Sequence, residues 1–382
     1  MTQASQSLQY TVCGGSYEES SCRSGCRTDG GCLYQTGGGG DLIKIGVAGP
    51  LTGENAAFGQ DQLNGVRLAV EEWNAKGGIG GKKIAIVEGD DQRDPKQAVT
   101  AANKLVNDGV IGVIGHFNSN CSIPASAVYN KAGIPQISHG STNPKLTEQN
   151  FDTVFRVCGR DDQQGKVAAD YVSGTLKLKK VAVLHDKTTY GQGLADEFKK
   201  ALGSTVQVVA YEGLTTGEKD YSPVVTKIKS LAPELVFFGG VYSEGGLLAK
   251  QFRAVGVTVP FMGGDGIMSD EFIKIAGPAS EGAFATFGPD TKGAPAAKGF
   301  NDSYRKKYGE PGVYSVYAYD AANILLQSLQ KAGSDKKKLL EAIRAIDYSG
   351  ALGKVQFDAK GDVKVSPYVV WKVEGGSYRQ VK

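Results

Sequence analysis

Residues 111–144 read IGVIGHFNSNCSIPASAVYNKAGIPQISHGSTNP. Residues 111–114 are a short apolar run closed by Gly115, the pattern of a strand buried on both faces. Asn118, Ser119 and Asn120 follow, residue types that favour helix N-caps and tight turns. A helix is expected over 123–132. Residues 134–137 repeat the apolar run, and Gly140-Ser141-Thr142-Asn143-Pro144 repeats the polar turn. Two such turns, one βα unit apart, make a place for a small anion. Free N–H groups and the positive ends of helices point into turns of this kind.

The alternation continues in both directions. Upstream, 42–47 is a strand and 49–53 a turn. Residues 60–75 have helical periodicity through Leu63, Val66, Leu68, Ala69, Val70 and Trp73, stopped by Gly77-Gly78. A strand over 83–88 leads to Asp94-Pro95, with Asp as N-cap and Pro in the first helical turn. Downstream, Arg160-Asp161-Asp162 leads to a helix over 165–175. Strands at 180–185, 206–212, 235–240 and 260–263 then alternate with helices at 194–202, 221–231 and 244–255. Three helical stretches (296–308, 315–333 and 337–346) precede a hairpin-like pair, 353–357 and 367–373. Two consecutive series of this kind imply two α/β lobes, each with its own parallel sheet, and a cleft between their strand C-terminal ends.

The totals exclude several classes. Of 382 residues, 41% are hydrophobic and 22% charged, ordinary for a globular protein. A net charge of +3 and no basic run longer than Lys336–Lys338 argue against a nucleic-acid partner. No apolar run approaches the ~20 residues that span a bilayer. The first ten residues have neither a charged n-region nor an apolar h-region, so an exported protein is expected here in mature or engineered form.

Residues 1–40 differ from the rest. Cys13, Cys22, Cys26 and Cys32 fall in a segment poor in aliphatic residues and closed by Gly37–Gly40. The spacing suggests a disulfide-stapled module with three possible pairings; a four-cysteine zinc site ranks below it because no CxxC pair occurs. An engineered fusion through the glycine run is the preferred account, and a natural extension is the alternative. Cys121 and Cys158 stand alone in the main body.

Residues 41–382 resemble the periplasmic branched-chain amino acid binding proteins, the Leu/Ile/Val receptors of ABC importers. IKIGVAGPLTGENAAFGQ, GGIGGKKI, EGDDQRDPKQAV, VIGHFNSNCSIPAS, ISHGSTNP, FRVCGRDDQQG, LHDKTTYGQG, GEKDYSP, FMGGDG and QFDAKGDVK carry the likeness in family order. The resemblance implies two doubly wound parallel-sheet lobes joined by a three-strand hinge, the type I periplasmic binding protein architecture. Lobe 1 is then 41–160 with 289–363, and lobe 2 is 161–288 with 364–382. It implies further that Ser119 and Asn120 in the first turn, and Gly140, Ser141 and Thr142 in the second, hold a ligand carboxylate. Asp265 of GGDG, where many members have Glu, meets the ammonium. Tyr190 and Tyr242 face the cleft from lobe 2. Phe58 and Val241 stand where some members carry Tyr. Some relatives have a disulfide ending in the turn of Cys121; its partner position here falls near Arg93, so Cys121 and Cys158 are expected free.

The chemistry agrees. A zwitterion leaving water must have both charges met, because an unpaired buried charge costs several kcal/mol. The expected protein is non-catalytic: it captures a small neutral amino acid, delivers it to an ABC permease at the periplasm or cell surface, and works as a monomer without cofactor, metal or nucleic acid. Aliphatic ligands come first, with proline or γ-aminobutyrate behind. A sensing regulator of the same fold is the alternative. A hydrolase triad can be drawn from Ser119, His139 and Asp265, but no GxSxG elbow occurs. His116, His139 and His185 are better read as strand-end histidines with satisfied rings, and Glu244 as a helix-capping residue.

Overall fold

The structure, a computed structural model, describes residues 42–381. The expected cysteine-rich module, with Cys13, Cys22, Cys26, Cys32 and the glycine run, lies outside the described residues.

Five strands build the first sheet: β1 (Ile43–Gly49), β2 (Ile84–Asp90), β3 (Val113–Gly115), β4 (Gln136–Ser138) and β5 (Val154–Arg156). Their order is β2-β1-β3-β4-β5, all parallel. The second sheet takes β6 (Lys180–His185), β7 (Gln207–Gly213), β8 (Leu235–Gly239), β9 (Phe261–Gly263) and β10 (Phe284–Phe287). After the local hairpin β11 (Tyr348–Gly350) and β12 (Gly353–Val355), strands β13 (Val369–Glu374) and β14 (Ser377–Gln380) complete it in the order β14-β13-β10-β9-β8-β6-β7. Strands β3, β4, β5, β8, β9 and β10 are buried along their whole length, as the uninterrupted apolar runs predict for sheets with helices on both faces. The chain therefore has the two parallel-sheet lobes expected. It crosses between them after β5, after β10 and again ahead of β13.

Three local expectations are corrected, and one strand is added. The helix expected over 123–132 is Ser119–Ala132: the Cys121 and Ser122 amides both donate to Asn118 O at 2.9 Å, so the turn winds directly into the helix. The helix expected over 165–175 is Asp161–Asp170 followed by a π-helical turn, Tyr171–Thr175. Residues 353–357 and 367–373 do not pair: β12 closes on β11, whereas β13 lies antiparallel to β10. Strand β10 itself was not anticipated; its four residues, FATF, are too few to show a period.

The helix Ser315–Ala332 returns from the second crossover to pack on Ala56–Ala75 in the first lobe. That packing brings Tyr314, the residue before it, to the lobe boundary.

Candidate functional site

The anion half forms where β3 and β4 end. Ser119 opens the helix Ser119–Ala132, so its amide and that of Asn120 lack helical acceptors. Ser119 Oγ accepts from Asn143 N at 3.3 Å, which leaves its own O–H to donate. Beneath the second turn, Arg156 is fully buried and donates to Asn143 O and Ser141 O, both at 3.0 Å. Its Nε reaches Asp362 at 2.5 Å and Nη2 reaches Thr147 Oγ1 at 2.6 Å. Thr142 Oγ1 is buried without a hydrogen-bond partner.

The acid half comes from the second lobe. Asp265 begins a 3-10 turn, Asp265–Ile267, at the C-terminal end of β9. Its Oδ1 accepts from Tyr190 O–H at 2.7 Å and its Oδ2 from Tyr314 O–H at 2.8 Å. Tyr190 Oη also accepts from Gly266 N at 2.9 Å. Burial pushes the Asp265 pKa above the usual carboxylate value, and the phenol hydroxyls only partly offset this. Such a carboxylate gains from a nearby cation.

Between the halves lies a cavity of about 10 Å³ lined by Phe117, Asn118, Ser119, Gly140, Tyr190, Val241, Asp265, Gly266 and Tyr314. Its wall is aromatic. Phe58 stacks on Phe117 with centroids 4.6 Å apart and meets Tyr242 (4.8 Å) and Tyr314 (5.3 Å) edge-on. Phe117 meets Tyr314 edge-on at 4.8 Å. Gly140 permits this crowding, since a Cβ there would stand 2.6 Å from the Phe117 ring.

Ser119, Gly140, Tyr190, Val241 and Asp265 are thus brought to one cavity, with Phe58 and Tyr242 in the aromatic layer behind it. Three expected residues, Asn120, Ser141 and Thr142, do not line it. Asn120 spends its side chain on Arg93 O (3.0 Å), and Ser141 Oγ is bonded to Ser122 Oγ (2.5 Å) and Phe117 O (2.8 Å). The sequence reading missed Phe117, Asn118, Gly266 and Tyr314. Phe117 and Asn118 carried a usable signal, being the residues between β3 and the helix that Ser119 opens. Tyr314 carried none.

The lobes are closed on each other. Arg93, in the turn after β2, donates to Asp186 at 2.6 Å and to both Glu244 oxygens at 3.0 and 3.2 Å. Burial opposes the Arg93 charge, but Glu244 and Asp186 outweigh it and hold the guanidinium pKa above its usual value. Glu244 is therefore an inter-lobe ligand of Arg93, not the helix-capping residue expected. Asn55 to Ser243 Oγ (3.2 Å), Tyr242 O–H to Glu54 O (2.9 Å) and Asn143 to Thr189 O (2.8 Å) add to the seam.

The histidines divide. His116 is buried between Asp91 (2.7 Å) and Tyr129 (3.0 Å). His185 Nδ1 accepts from Lys187 N at 3.1 Å. His139, expected to be satisfied, has neither ring nitrogen hydrogen-bonded; burial against Phe117 pushes its pKa down to about 3, so it stays neutral. Cys121 and Cys158 are free and buried. Among the described residues no helix is long and apolar enough to cross a membrane, and no group of His, Cys, Asp or Glu is placed to hold a metal ion.

Comparison with known proteins agrees with this architecture. The periplasmic binding protein family model matches residues 42–377. An amino acid binding protein of Pseudomonas aeruginosa is 47% identical over 89% of this chain and 92% of its own length. Leu/Ile/Val-binding protein homolog 1 of Brucella suis is 45% identical over 88% and 91%. Among solved structures, a Thermotoga maritima leucine binding protein superimposes with a TM-score of 0.84 at 31% identity, covering 89% of this chain and 98% of that one. The isoleucine complex of a Streptococcus pneumoniae branched-chain amino acid transporter substrate binding protein gives 0.82 at 30% identity, covering 89% and 100%. By fold, by coverage and by identity, the chain belongs to the periplasmic binding protein family.

Proposed function

We propose that the protein captures a small neutral amino acid between its two lobes and hands it to the permease of an ABC importer, acting in the periplasm or at the cell surface as a non-catalytic monomer. The observation that carries this is the division of the site. Donors at two strand ends of the first lobe face the buried Asp265 of the second across one cavity. A zwitterion bridging them stabilises the closed form over the open one, as coupling of binding to closure requires. The relatives' names point the same way. In this reading the lobes are 41–160 with 289–363, and 161–288 with 364–382; Ser119, Gly140 and Thr142 take the carboxylate and Asp265 the ammonium.

The aromatic wall refines the ligand. About 10 Å³ is roughly the room for one water. That room admits no amino acid until the lobes part, and the apolar side chains of Phe117 and Val241 on its wall favour an aliphatic ligand, so leucine, isoleucine, valine and alanine rank first, with proline and γ-aminobutyrate behind. A thermal-shift screen tests this. A ligand at 100 times its Kd stabilises by about 2.7 kcal/mol. If no amino acid raises the melting temperature, the function is wrong; if only charged amino acids do, the aliphatic reading of the wall is wrong.

A further inference from the structure

A second cavity, of about 470 Å³, lies on the other side of the aromatic wall and shares no lining residue with the first. Its volume falls within the range of ligand pockets, roughly 300–1,000 Å³. Both lobes border it. Phe58 and Asp61 come from the helix Ala56–Ala75 of the first; the helix Asp270–Ala276 and Tyr378 of β14 come from the second; residues 289–292 belong to the second crossover.

The lining is aromatic and acidic. Phe58, Phe287, Phe300, Trp371 and Tyr378 contribute rings. Trp371 Nε1 donates to Gly288 O at 3.0 Å and Tyr378 O–H to Ile267 O at 2.6 Å, so what these two offer the cavity is apolar ring surface. The carboxylates of Asp61, Asp270, Glu271 and Asp290 outnumber the ammonium groups of Lys274 and Lys292, and Lys274 is already paired with Glu271 at 2.6 Å. Asp61 accepts only from neutral donors, Tyr314 N at 2.9 Å and Tyr304 O–H at 3.4 Å. Burial pushes its pKa up to about 6, and the hydrogen bonds that oppose this bring no positive charge. A cation in the cavity supplies that charge, and aromatic ring faces attract cations as well. An anion is disfavoured on both counts.

Tyr314 joins the two cavities. Its amide donates to Asp61 and its hydroxyl to Asp265 Oδ2 at 2.8 Å. Its ring meets Phe58 at 5.3 Å and Phe287 at 5.1 Å, both edge-on. An occupant touching Phe58 and Phe287 supports the ring whose hydroxyl holds Asp265, and by touching both lobes it favours their closed arrangement.

We propose that this cavity is a second ligand site, for a small organic cation with an aromatic body, and that its occupant tightens amino acid binding. The site stands without the amino-acid reading; the coupling rests on it.

The probe is 2-phenylethylamine, titrated by calorimetry into the whole chain with and without a saturating amino acid, the tightest binder among L-leucine, L-alanine and γ-aminobutyrate. Phenylacetate, a similar body of opposite charge, is the control. The amine is expected to bind about tenfold more tightly than phenylacetate, and the amine and the amino acid to tighten each other about threefold, by the same factor. Asp61→Asn, which can still accept from Tyr314 N, weakens the amine about tenfold. Asp270→Asn combined with Asp290→Asn, at two exposed positions, weakens it about threefold, leaves amino acid affinity in the absence of amine unchanged, and carries the test if Asp61→Asn does not fold. No amine binding, equal binding of phenylacetate, or full affinity in the folded variants overturns the site. Competition between amine and amino acid puts the amine in the first cavity and overturns it too. Independent binding overturns the coupling. A protein that binds the amine in this charge-dependent way but no amino acid supports the site and refutes the amino-acid reading.

Discussion

Arg93→Ala tests the closed seam directly. The guanidinium makes three N–H···O contacts to Asp186 and Glu244, with 9%, 0% and 2% of the three side chains exposed. Removing one partner of a buried ion pair costs about 3–5 kcal/mol, because the other charge stays buried and uncompensated. Both acids keep some donors here. Asp186 retains Thr188 N (3.0 Å) and Oγ1 (2.6 Å), and Glu244 retains Ser243 Oγ (2.6 Å) and Gly217 N (3.3 Å). The lower figure, about 3 kcal/mol, is the better guide. In an open form all three groups reach water, so the loss falls on the closed form alone. Binding coupled to closure then weakens by that amount, raising Kd about 150-fold. Titration calorimetry reads the affinity, and small-angle scattering of the ligand-saturated variant reads the closed fraction. Adding Asp186→Asn and Glu244→Gln removes the stranded charges and recovers part of the loss. A Kd within threefold of wild type, in a folded variant, refutes the latch.

Further outcomes follow from the site and the core. Asp265→Ala abolishes measurable amino acid binding by calorimetry, and Asp265→Asn, whose single oxygen can accept from only one of Tyr190 and Tyr314, loses at least tenfold; retained affinity in the alanine variant sinks the ammonium assignment. Phe117→Ala opens the aromatic wall and lowers the Kd for leucine relative to alanine tenfold or more, with a cost of about 3 kcal/mol in urea unfolding; an unchanged ratio removes Phe117 from the pocket. Asp320, fully buried and bonded to Tyr348 O–H and the amides of Ala351 and Leu352, has its pKa pushed by burial up to about 6. A carboxyl raised in the folded state binds more protons there than in the unfolded chain, so its ionisation removes stability as pH rises from about 4 through about 6. Asp320→Asn should therefore gain on wild type by about 2–3 kcal/mol between pH 4 and pH 7 in urea unfolding, and a pH-independent gap contradicts this.

The legible parts of the chain were those where local pattern and tertiary role coincide. Residues 111–114 and 134–137 are apolar because both faces of β3 and β4 are covered, so the strands and the turns they carry could be read directly. Ser119 could be picked out because strand-end turns of a parallel sheet border the cleft, and it does line the cavity. Asn120 and Ser141 have the same chemistry, but hydroxyls and amides serve equally well to bond backbone, and the local sequence does not separate the two uses. Long-range partners carried no local mark. Arg93 meets acids 93 and 151 residues away, and Tyr314 reaches Asp265 across 49 residues.

Strand β13 has a consequence for how the chain is made. It pairs with β10 from some 85 residues further along, and β14 then caps it. Until residues 369–380 emerge from the ribosome, β10 is a bare hydrophobic edge with unpaired backbone groups. The first lobe waits as well, since its helix Ala56–Ala75 lacks the cover of Ser315–Ala332. The first lobe lacks its cover until residues 315–332 are made, and the second its edge strands until 369–380 are. A nascent chain, or one cut before residue 369, should therefore be held by chaperones and cut readily by proteases, and should resist them only once residues 369–380 have joined the sheet.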